Sequence, residues 1–322
     1  MKKTIIIGKN DAGQRIDKFM TKTFPNLPQS ELYKAIRKKD IKINGKRCDI
    51  KDKVEENDEI YLFLHDDFLQ QKPKEYDFIK APKTLNIVYE EENVMLLDKK
   101  PGLIVHPDEN YHYDSLIARV QHYLYDKKEY DPEDEKSFAP ALVNRIDRNT
   151  GGIVMAAKNA ESLRILNQKV KDRELNKFYL CVTVGKINKK FDVITGYLEK
   201  NESQNRVYIS DKKKEGSKTI ITKYNVIKTS SRYSLLEVEL LTGRTHQIRA
   251  HLASIGHPLA GDGKYGTNKE NKKTGFPYQA LYSYRLQFEF KTDGGILNYL
   301  DGKEFSVNPD NIWFIKEFDS LG

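Results

Sequence analysis

A carboxylate between two arginines is the feature of this sequence with the clearest chemical potential. Asp147 is flanked by Arg145 and Arg148, and two apolar runs that read as buried strands enclose the cluster. Gly151 and Gly152 follow, so the backbone can turn sharply or approach a ligand closely there. Arginine neighbours favour the ionised form of a half-buried carboxylate. An isolated cluster of this kind is more often a structural ion pair than a catalytic site. The choice between these two interpretations therefore depends on other stretches of the sequence.

A second polar stretch, residues 241–266, begins at the end of a predicted strand. It contains a predicted helix from Thr245 to Ile255, which Gly256 ends. His246 and His251 are five residues apart and diverge by about 140° on a helix, which makes them a poor metal pair.

The same stretch contains Gly261-x-Gly-x-x-Gly266, which fits a dinucleotide fingerprint. We predict a polar loop over residues 267–275, without the apolar helix on which phosphates would rest, and we therefore reject nucleotide binding. A third stretch, residues 175–185, alternates and is rich in β-branched and aromatic residues, which predicts a strand bearing Lys177 and Tyr179.

Together with residues 90–107, these stretches resemble the RluA-type pseudouridine synthases. The family's central motif is His-Arg-Leu-Asp-Arg-x-Thr-Ser-Gly, and residues 144–152 read Asn-Arg-Ile-Asp-Arg-Asn-Thr-Gly-Gly. Residues 241–266 match the family's last large motif almost position for position. Asn144 and Gly151 depart from the family's His and Ser, and Tyr282-Ser283 stands where His-Ala is usual.

The resemblance implies a role for each matched residue. Asp147 would be the catalytic carboxylate, Tyr179 would lie against the reacting base, and Arg249 would pair with Asp147. Arg145 would help to occupy the space that a flipped uridine vacates. The residues expected to bind substrate are Arg145, Arg148, Thr150, Lys177, Arg244, His246 and Gln247.

The family's first motif, Asn-Lys-Pro-x-Gly-x-x-x-His-Pro, resembles residues 98–107. Lys100, Pro101 and His106-Pro107 are taken as the matches, with Gly102 one place early. This implies a structural role in one wall of a cleft. A general-base role for His106 is the weaker alternative.

The first 66 residues resemble the αL RNA-binding module named after a small-subunit ribosomal protein. The pattern predicts two helices, with Ser30 as a plausible N-cap of the second, and then an Asn44-Gly45 hairpin. A basic face would grip phosphates without reading bases. Its expected members are Lys34, Arg37, Lys38 and Lys42.

Composition sets broad limits on the class of protein. The chain has 322 residues and a formal net charge of +8, which suits a polyanionic partner. Two cysteines without partners at metal-ligand spacing argue against a disulfide scaffold and a zinc site. No apolar run is long enough for a signal peptide or a membrane span, so we expect a cytoplasmic protein.

These observations predict an α+β protein without cofactor or metal. We expect an RNA-binding module over residues 1–66, a linker over 67–84 and a catalytic domain over 85–322. The catalytic domain should be a mixed, mainly antiparallel sheet with flanking helices and a central cleft. The expected partner is structured RNA, specifically large-subunit ribosomal RNA, and the protein is expected to be a monomer. The alternative is a non-catalytic RNA-binding or ribosome-assembly protein that retains the fold.

Overall fold

A computed structural model describes residues 2–70, 76–108 and 113–321 of the chain. The N-terminal part forms a four-stranded sheet in the order β1-β4-β2-β3, covered by two helices. Its elements are β1 (Lys2–Ile6), α1 (Ile16–Thr23), α2 (Gln29–Lys38), β2 (Ile41–Ile43), β3 (Lys46–Arg47), β4 (Glu59–Phe63) and α3 (Asp66–Leu69).

The two helices of the module bury their apolar stripes against the sheet. Phe19 and Met20 of α1 and Leu32 and Ile36 of α2 are fully enclosed, as expected of amphipathic helices. Helix α2 begins at Gln29 after Pro28, not at a Ser30 cap, because Pro28 has the extended backbone typical of an N-cap.

The apolar pattern predicts a first helix from Asp11 to Phe24, but α1 begins only at Ile16, because the residues before it bond to the large domain. Asp11 accepts hydrogen bonds from the backbone N–H and the hydroxyl of Ser137 in the large domain. Gln14 also donates to Ser137, and Asn10 donates to Glu135 at 2.5 Å. The module is thus docked on the large domain by several hydrogen bonds.

The segment predicted as a linker spans residues 67–84, of which residues 71–75 lie outside the described part of the chain. Leu69 of α3 packs into the core of the module. A 3-10 turn, Asp77–Lys80, places Phe78 in the core of the large domain. The core of the module and the core of the large domain thus both extend into this segment. The domain limits of 1–66 and 85–322 remain a prediction.

The large domain contains one eleven-stranded sheet, whose main path runs β11-β10-β12-β13-β9-β14-β8-β6-β5. Within the described residues, every pairing of this sheet is antiparallel except that of β8 with β14, which confirms the predicted α+β class. The strands are β5 (Ile87–Glu90), β6 (Val94–Lys99), β7 (Ala141–Leu142), β8 (Gly151–Ala157), β9 (Leu175–Val184), β10 (Phe191–Asn201), β11 (Arg206–Ser210), β12 (Lys218–Thr229), β13 (Tyr233–Leu240), β14 (Leu281–Phe288) and β15 (Glu304–Ser306).

In the part of the large domain that the structure describes, five α-helices flank this sheet. They are α4 (Leu116–Asp126), α5 (Ala160–Lys171), α6 (Gln247–Ser254), α7 (Asn268–Thr274) and α8 (Trp313–Phe318). The polar loop predicted over residues 267–275 is wrong, because Thr267 caps α7 by accepting from the N–H of Glu270. This helix buries none of its residues, so it still offers no apolar support for a dinucleotide.

Strand β8 separates two hydrophobic cores. Val154 and Ala156 face one core, while Ile153, Met155 and Ala157 face the other, because successive strand side chains point to opposite faces. All seven residues of β8 are buried. The residues that precede β8, including Asp147, therefore emerge from the most enclosed strand of the sheet.

In the described part of the chain, no helix has the length and apolar character needed to cross a membrane.

Candidate active site

Asp147 lies in the loop between β7 and β8, and hydrogen bonds within the loop fix its shape. The backbone N–H of Thr150 donates to the Asp147 carbonyl at 3.0 Å. The side-chain oxygen of Asn144 accepts from the N–H of Met155 in β8 at 2.8 Å. Asn144, where the family has His, is therefore a structural residue that ties the loop to the strand.

A buried lysine donates hydrogen bonds to the backbone of this loop and of the neighbouring residues 100–103. Lys99 is 1% exposed, and its ammonium donates to the carbonyls of Lys100, Leu103 and Arg148 at 3.0, 2.7 and 2.8 Å. Burial lowers the pKa of Lys99 to about 7, although the charges of Asp147 and Asp98 oppose the shift.

The first-motif lysine was assigned wrongly from the sequence. An alignment without a gap puts the motif's Lys on Lys99 and its Gly on Gly102, with Lys100 in place of Pro. Gly102 has φ +91°, and its N–H donates to Arg148 at 2.9 Å. Lys99 and Gly102 together hold the carbonyl of Arg148, so the first motif has the structural role expected of it.

Arg249 of α6 connects two carboxylates. Its Nη1 donates to Oδ2 of Asp147 at 2.7 Å, as the resemblance implied. Its Nε and Nη2 donate to the two oxygens of Asp262 at 2.8 and 2.9 Å. Arg249 is only 7% exposed, so this bidentate contact fixes the plane of the guanidinium that faces Asp147.

Asp262 is completely buried and was not predicted to belong to the site. It accepts two more hydrogen bonds, from the N–H groups of Lys264 and Tyr265. Burial raises its pKa, but the bonds from Arg249 outweigh burial and the net shift is downward. In Arg249, burial lowers the pKa, yet Asp262 and Asp147 raise it above its ordinary value.

His246 is a further polar residue close to Asp147. Its Nε2 is 3.9 Å from Oδ2 of Asp147, and its Nδ1 is 3.0 Å from the hydroxyl of Tyr265. Burial lowers the pKa of His246, and Arg249 lowers it further, while Asp147 opposes this. Neutral imidazole is therefore favoured, which leaves Arg249 as the cation bonded to Asp147.

Tyr179 of β9 lies on the same face of the sheet as this cluster and is buried. Burial raises its pKa to about 12; the charge of Asp147 adds to the rise, and a hydrogen bond with Ser283 opposes it. Ser283, where the family has Ala, pairs with Tyr179 across β9 and β14. At neutral pH the phenol is protonated, which suits holding a base better than accepting a proton.

These groups line a cleft of about 820 Å³. Arg145 and Arg244 are exposed at its walls, and Lys177 is half-buried there. Burial lowers the pKa of Lys177. In residues 2–70, 76–108 and 113–321, no group of three or more His, Cys, Asp or Glu side chains is suited to a metal ion, so no residue is assigned as a metal ligand.

Three residues expected to bind substrate make bonds within the protein instead. The Gln247 amide contacts Ile221, Thr222, Thr242 and the N–H of Arg244. The hydroxyl of Thr150 accepts from Gln279 at 3.2 Å, and Nε of Arg148 donates to the Gly102 carbonyl at 3.1 Å. All three line the cleft, but these bonds give them supporting positions.

The departures from the family at positions 151 and 282 are spatially linked. A Cβ atom on Gly151 would lie 2.3 Å from Cε2 of Tyr282. The Tyr282 hydroxyl donates to Asp98 at 2.5 Å, and Asp98 stands where the first motif has Asn. The larger side chain at 282 and the absent one at 151 therefore compensate each other.

The basic residues expected to bind RNA in the module lie on α2 and β2. Lys34, Arg37 and Lys38 are exposed on α2 at helical spacing, so they share one face. Lys34 is 3.3 Å from Glu31. Lys42 is half-buried on β2 beside Arg47 of β3, so the sheet of the module also bears two neighbouring basic residues.

The fold and the cleft define an RNA-modifying enzyme with an attached RNA-binding module. Residues 93–254 match the RNA pseudouridylate synthase family, and residues 14–60 match the S4 domain. The chain belongs to the RNA pseudouridylate synthase family, and it is an isomerase that converts uridine in RNA to pseudouridine.

Relatives of similar length support this assignment. The chain is 34% identical to an RNA pseudouridine synthase of Mycoplasma capricolum, over 95% of this chain and 97% of the relative. It is 30% identical to ribosomal large subunit pseudouridine synthase D of Borreliella burgdorferi, over 85% and 82%. It is 28% identical to ribosomal large subunit pseudouridine synthase C of Vibrio cholerae, over 89% and 88%.

Solved structures share the fold at lower identity. Human RNA pseudouridylate synthase domain containing 4 aligns with a TM-score of 0.56 at 17% identity, covering 73% of this chain and 92% of that one. Human RNA pseudouridylate synthase domain containing 1 aligns with a TM-score of 0.53 at 19% identity, covering 78% and 97%.

Proposed function

We propose that this enzyme isomerises specific uridines of large-subunit ribosomal RNA and that Asp147 is its catalytic carboxylate. The observation that supports this role most directly is the position of Asp147. It lies in a cleft with arginines at its walls and is bonded to a guanidinium that a second carboxylate holds in place. A carboxylate held in this way stays oriented toward a substrate.

The reaction breaks the bond between C1′ of the ribose and N1 of uracil. The base then rotates, C5 bonds to C1′, C5 loses its proton and N1 gains one. Atoms and charge balance within the nucleotide, so protein side chains suffice for the proposed steps. Asp147 acts either as a nucleophile on the sugar or as a base toward it, and both roles require the ionised carboxylate.

The target uridine must first leave its stack, at a cost of a few kcal/mol. Arg145 is exposed at the wall of the cleft, a position from which it can enter the space left by the base. Tyr179 would hold the uracil by its ring and hydroxyl. The pKa of about 12 favours this holding role over proton removal by Tyr179.

The substrate class rests on two features. The S4 domain at residues 14–60 and the basic surface on α2 provide a second RNA contact, which suits a large structured RNA. The relatives from Vibrio cholerae and Borreliella burgdorferi bear ribosomal large subunit names. The cytoplasmic location and the monomeric state remain predictions from the sequence.

The experiment is tritium release from ribosomal and transfer RNA labelled at C5 of uracil and made without pseudouridine. We expect the wild type to release tritium from ribosomal RNA. Asp147→Asn should release none yet bind RNA as tightly. Asp310→Asn is a matched control, because Asp310 is exposed and outside the cleft lining. Turnover by Asp147→Asn at the wild-type rate would refute the role of Asp147, and release from transfer RNA alone would refute the substrate class.

A further inference from the structure

A second cavity of about 870 Å³ lies next to the catalytic cleft. Asn149, Arg249, Lys264 and Gln279 line both spaces, so the two are separated by a shared wall and not by a layer of core. Nothing in the proposed chemistry uses the second cavity. Its own lining comes from β11, from the turn before β11 and from residues 261–279.

The second cavity has more positive than negative charge. Arg206 and Lys264 both line it, and in the described part of the chain neither lies within ion-pair distance of a carboxylate. Among the described residues, the Lys264 ammonium donates to one group, the backbone carbonyl of Asn205, at 2.6 Å. Burial lowers the pKa of Lys264, and Arg249 and Arg206 lower it as well, against Asp147 and Asp262. An anion here would relieve repulsion among these cations.

Aromatic rings alternate with these cations. The Arg206 guanidinium lies 5.2 Å from the ring centre of Tyr265 and 5.9 Å from that of Tyr208. Tyr208 is 50% exposed, so its ring is accessible for stacking. Rings interleaved with basic side chains are the arrangement by which proteins bind single-stranded nucleic acid, the rings stacking on bases and the cations contacting phosphates.

We propose that this second cavity binds a nucleotide adjoining the target uridine, with its base on Tyr208 and its phosphate on Arg206 and Lys264. The shared wall allows the RNA strand to pass directly from the catalytic cleft into this cavity. The inference rests on the proposed function, because it requires the uridine to occupy the cleft beside Asp147.

The test compares variants of the cavity with matched surface variants. Tyr208→Ala and Arg206→Gln should each weaken binding of unmodified ribosomal RNA about tenfold, measured in the Asp147→Asn background. Tyr208→Phe keeps the ring and should bind as before. Phe191→Ala removes a ring of equal exposure, 49%, outside both cavities, and Lys213→Gln removes an exposed charge; both should leave binding unchanged.

A phosphate contact has a signature that a purely structural role lacks. The slope of log binding constant against log salt should fall by about one in Arg206→Gln, and Arg206→Lys should restore it. Tritium release separates the possible failures. Release by wild type with unchanged binding and slope in Tyr208→Ala and Arg206→Gln would overturn this inference alone. No release by wild type would overturn the proposed function and this inference together.

Discussion

The ring of Tyr282 occupies the space that a side chain at position 151 would need. Because a Cβ on Gly151 would approach the ring to 2.3 Å, position 151 cannot take the family's Ser while Tyr282 keeps this position. We therefore expect the two positions to be energetically coupled, and the hydroxyl of Tyr282 also bonds to Asp98.

Gly151→Ser should destabilise the protein by about 1–3 kcal/mol, because it overpacks an enclosed site. Tyr282→His should also destabilise it, since it removes the bond to Asp98. The double variant restores the family residues and should be more stable than the sum of the two changes predicts, by about 0.5–3 kcal/mol. Denaturant unfolding of all four proteins measures this coupling, and strict additivity would show that the sites are independent.

Asp262→Asn should lower the rate of tritium release at saturating RNA by at least about tenfold, because Arg249 would lose its bidentate partner and its fixed orientation. The KM for RNA should change little, since Asp262 is fully buried and offers no surface to the bound RNA. Loss of one partner of a buried pair also costs about 3–5 kcal/mol of stability, so assays belong well below the melting temperature. An unchanged maximal rate would exclude a positioning role for Asp262.

Arg249→Lys provides the complementary comparison. Lysine keeps the charge but cannot bond two carboxylates in one plane, so this variant should also lose maximal rate. If Arg249→Lys and Asp262→Asn both keep the wild-type maximal rate, a positive charge beside Asp147 is sufficient and the fixed geometry of the guanidinium is not required.

Lys99 should make stability depend on pH in a defined window. Its folded pKa of about 7 lies below the ordinary 10.5, so between these values the unfolded chain binds more protons. The free energy of unfolding should then rise with pH from about 7 upward, by at most about 1.4 kcal/mol per unit. Below pH 7 both states are protonated and the slope from Lys99 vanishes.

Lys99→Met isolates this contribution. The variant loses three hydrogen bonds to backbone carbonyls and should be less stable than wild type. Its deficit should grow between pH 7 and 9, as wild type gains stability that the variant cannot gain. Chemical denaturation at several pH values measures the difference, and a constant deficit would mean that Lys99 remains charged throughout.

Arg37→Gln combined with Lys38→Gln should weaken RNA binding and reduce its salt dependence by about two phosphate contacts, because both side chains are exposed on α2. The maximal rate of tritium release should stay at the wild-type value, since the catalytic cleft is untouched. Lys316→Gln, an exposed change on α8, serves as the control. A loss of maximal rate at saturating RNA would assign these residues to the catalytic step.

The elements of the large domain were largely predictable because their signals are local. Asn159 caps α5 through Ser162, and β9 ends within a residue of its predicted limit. The pairing of Arg249 with Asp147, 102 residues apart, came from the family resemblance and not from local pattern. Asp262 was missed because no role was assigned to it within the last large motif, although its carboxylate accepts two hydrogen bonds from Arg249.

The compensation between Gly151 and Tyr282 could not be read from the sequence. The two residues are 131 positions apart, and they meet only through the single parallel pairing of β8 with β14. The length of helix α1 was also mispredicted, because the apolar pattern of the sequence indicated a longer helix than the one that forms. The residues before Ile16 form hydrogen bonds with Ser137 and Glu135, and the spacing of apolar residues in the sequence does not indicate such bonds.

The hydrogen bonds from Asn10, Asp11 and Gln14 to the large domain have a consequence for how a target is chosen. They hold the module at a fixed distance from the catalytic cleft. Phosphate contacts carry no base identity, so this fixed distance would select an RNA by the spacing between the RNA helix bound to the module and the uridine displaced into the cleft. Two RNAs of different sequence but equal spacing would then be equivalent substrates.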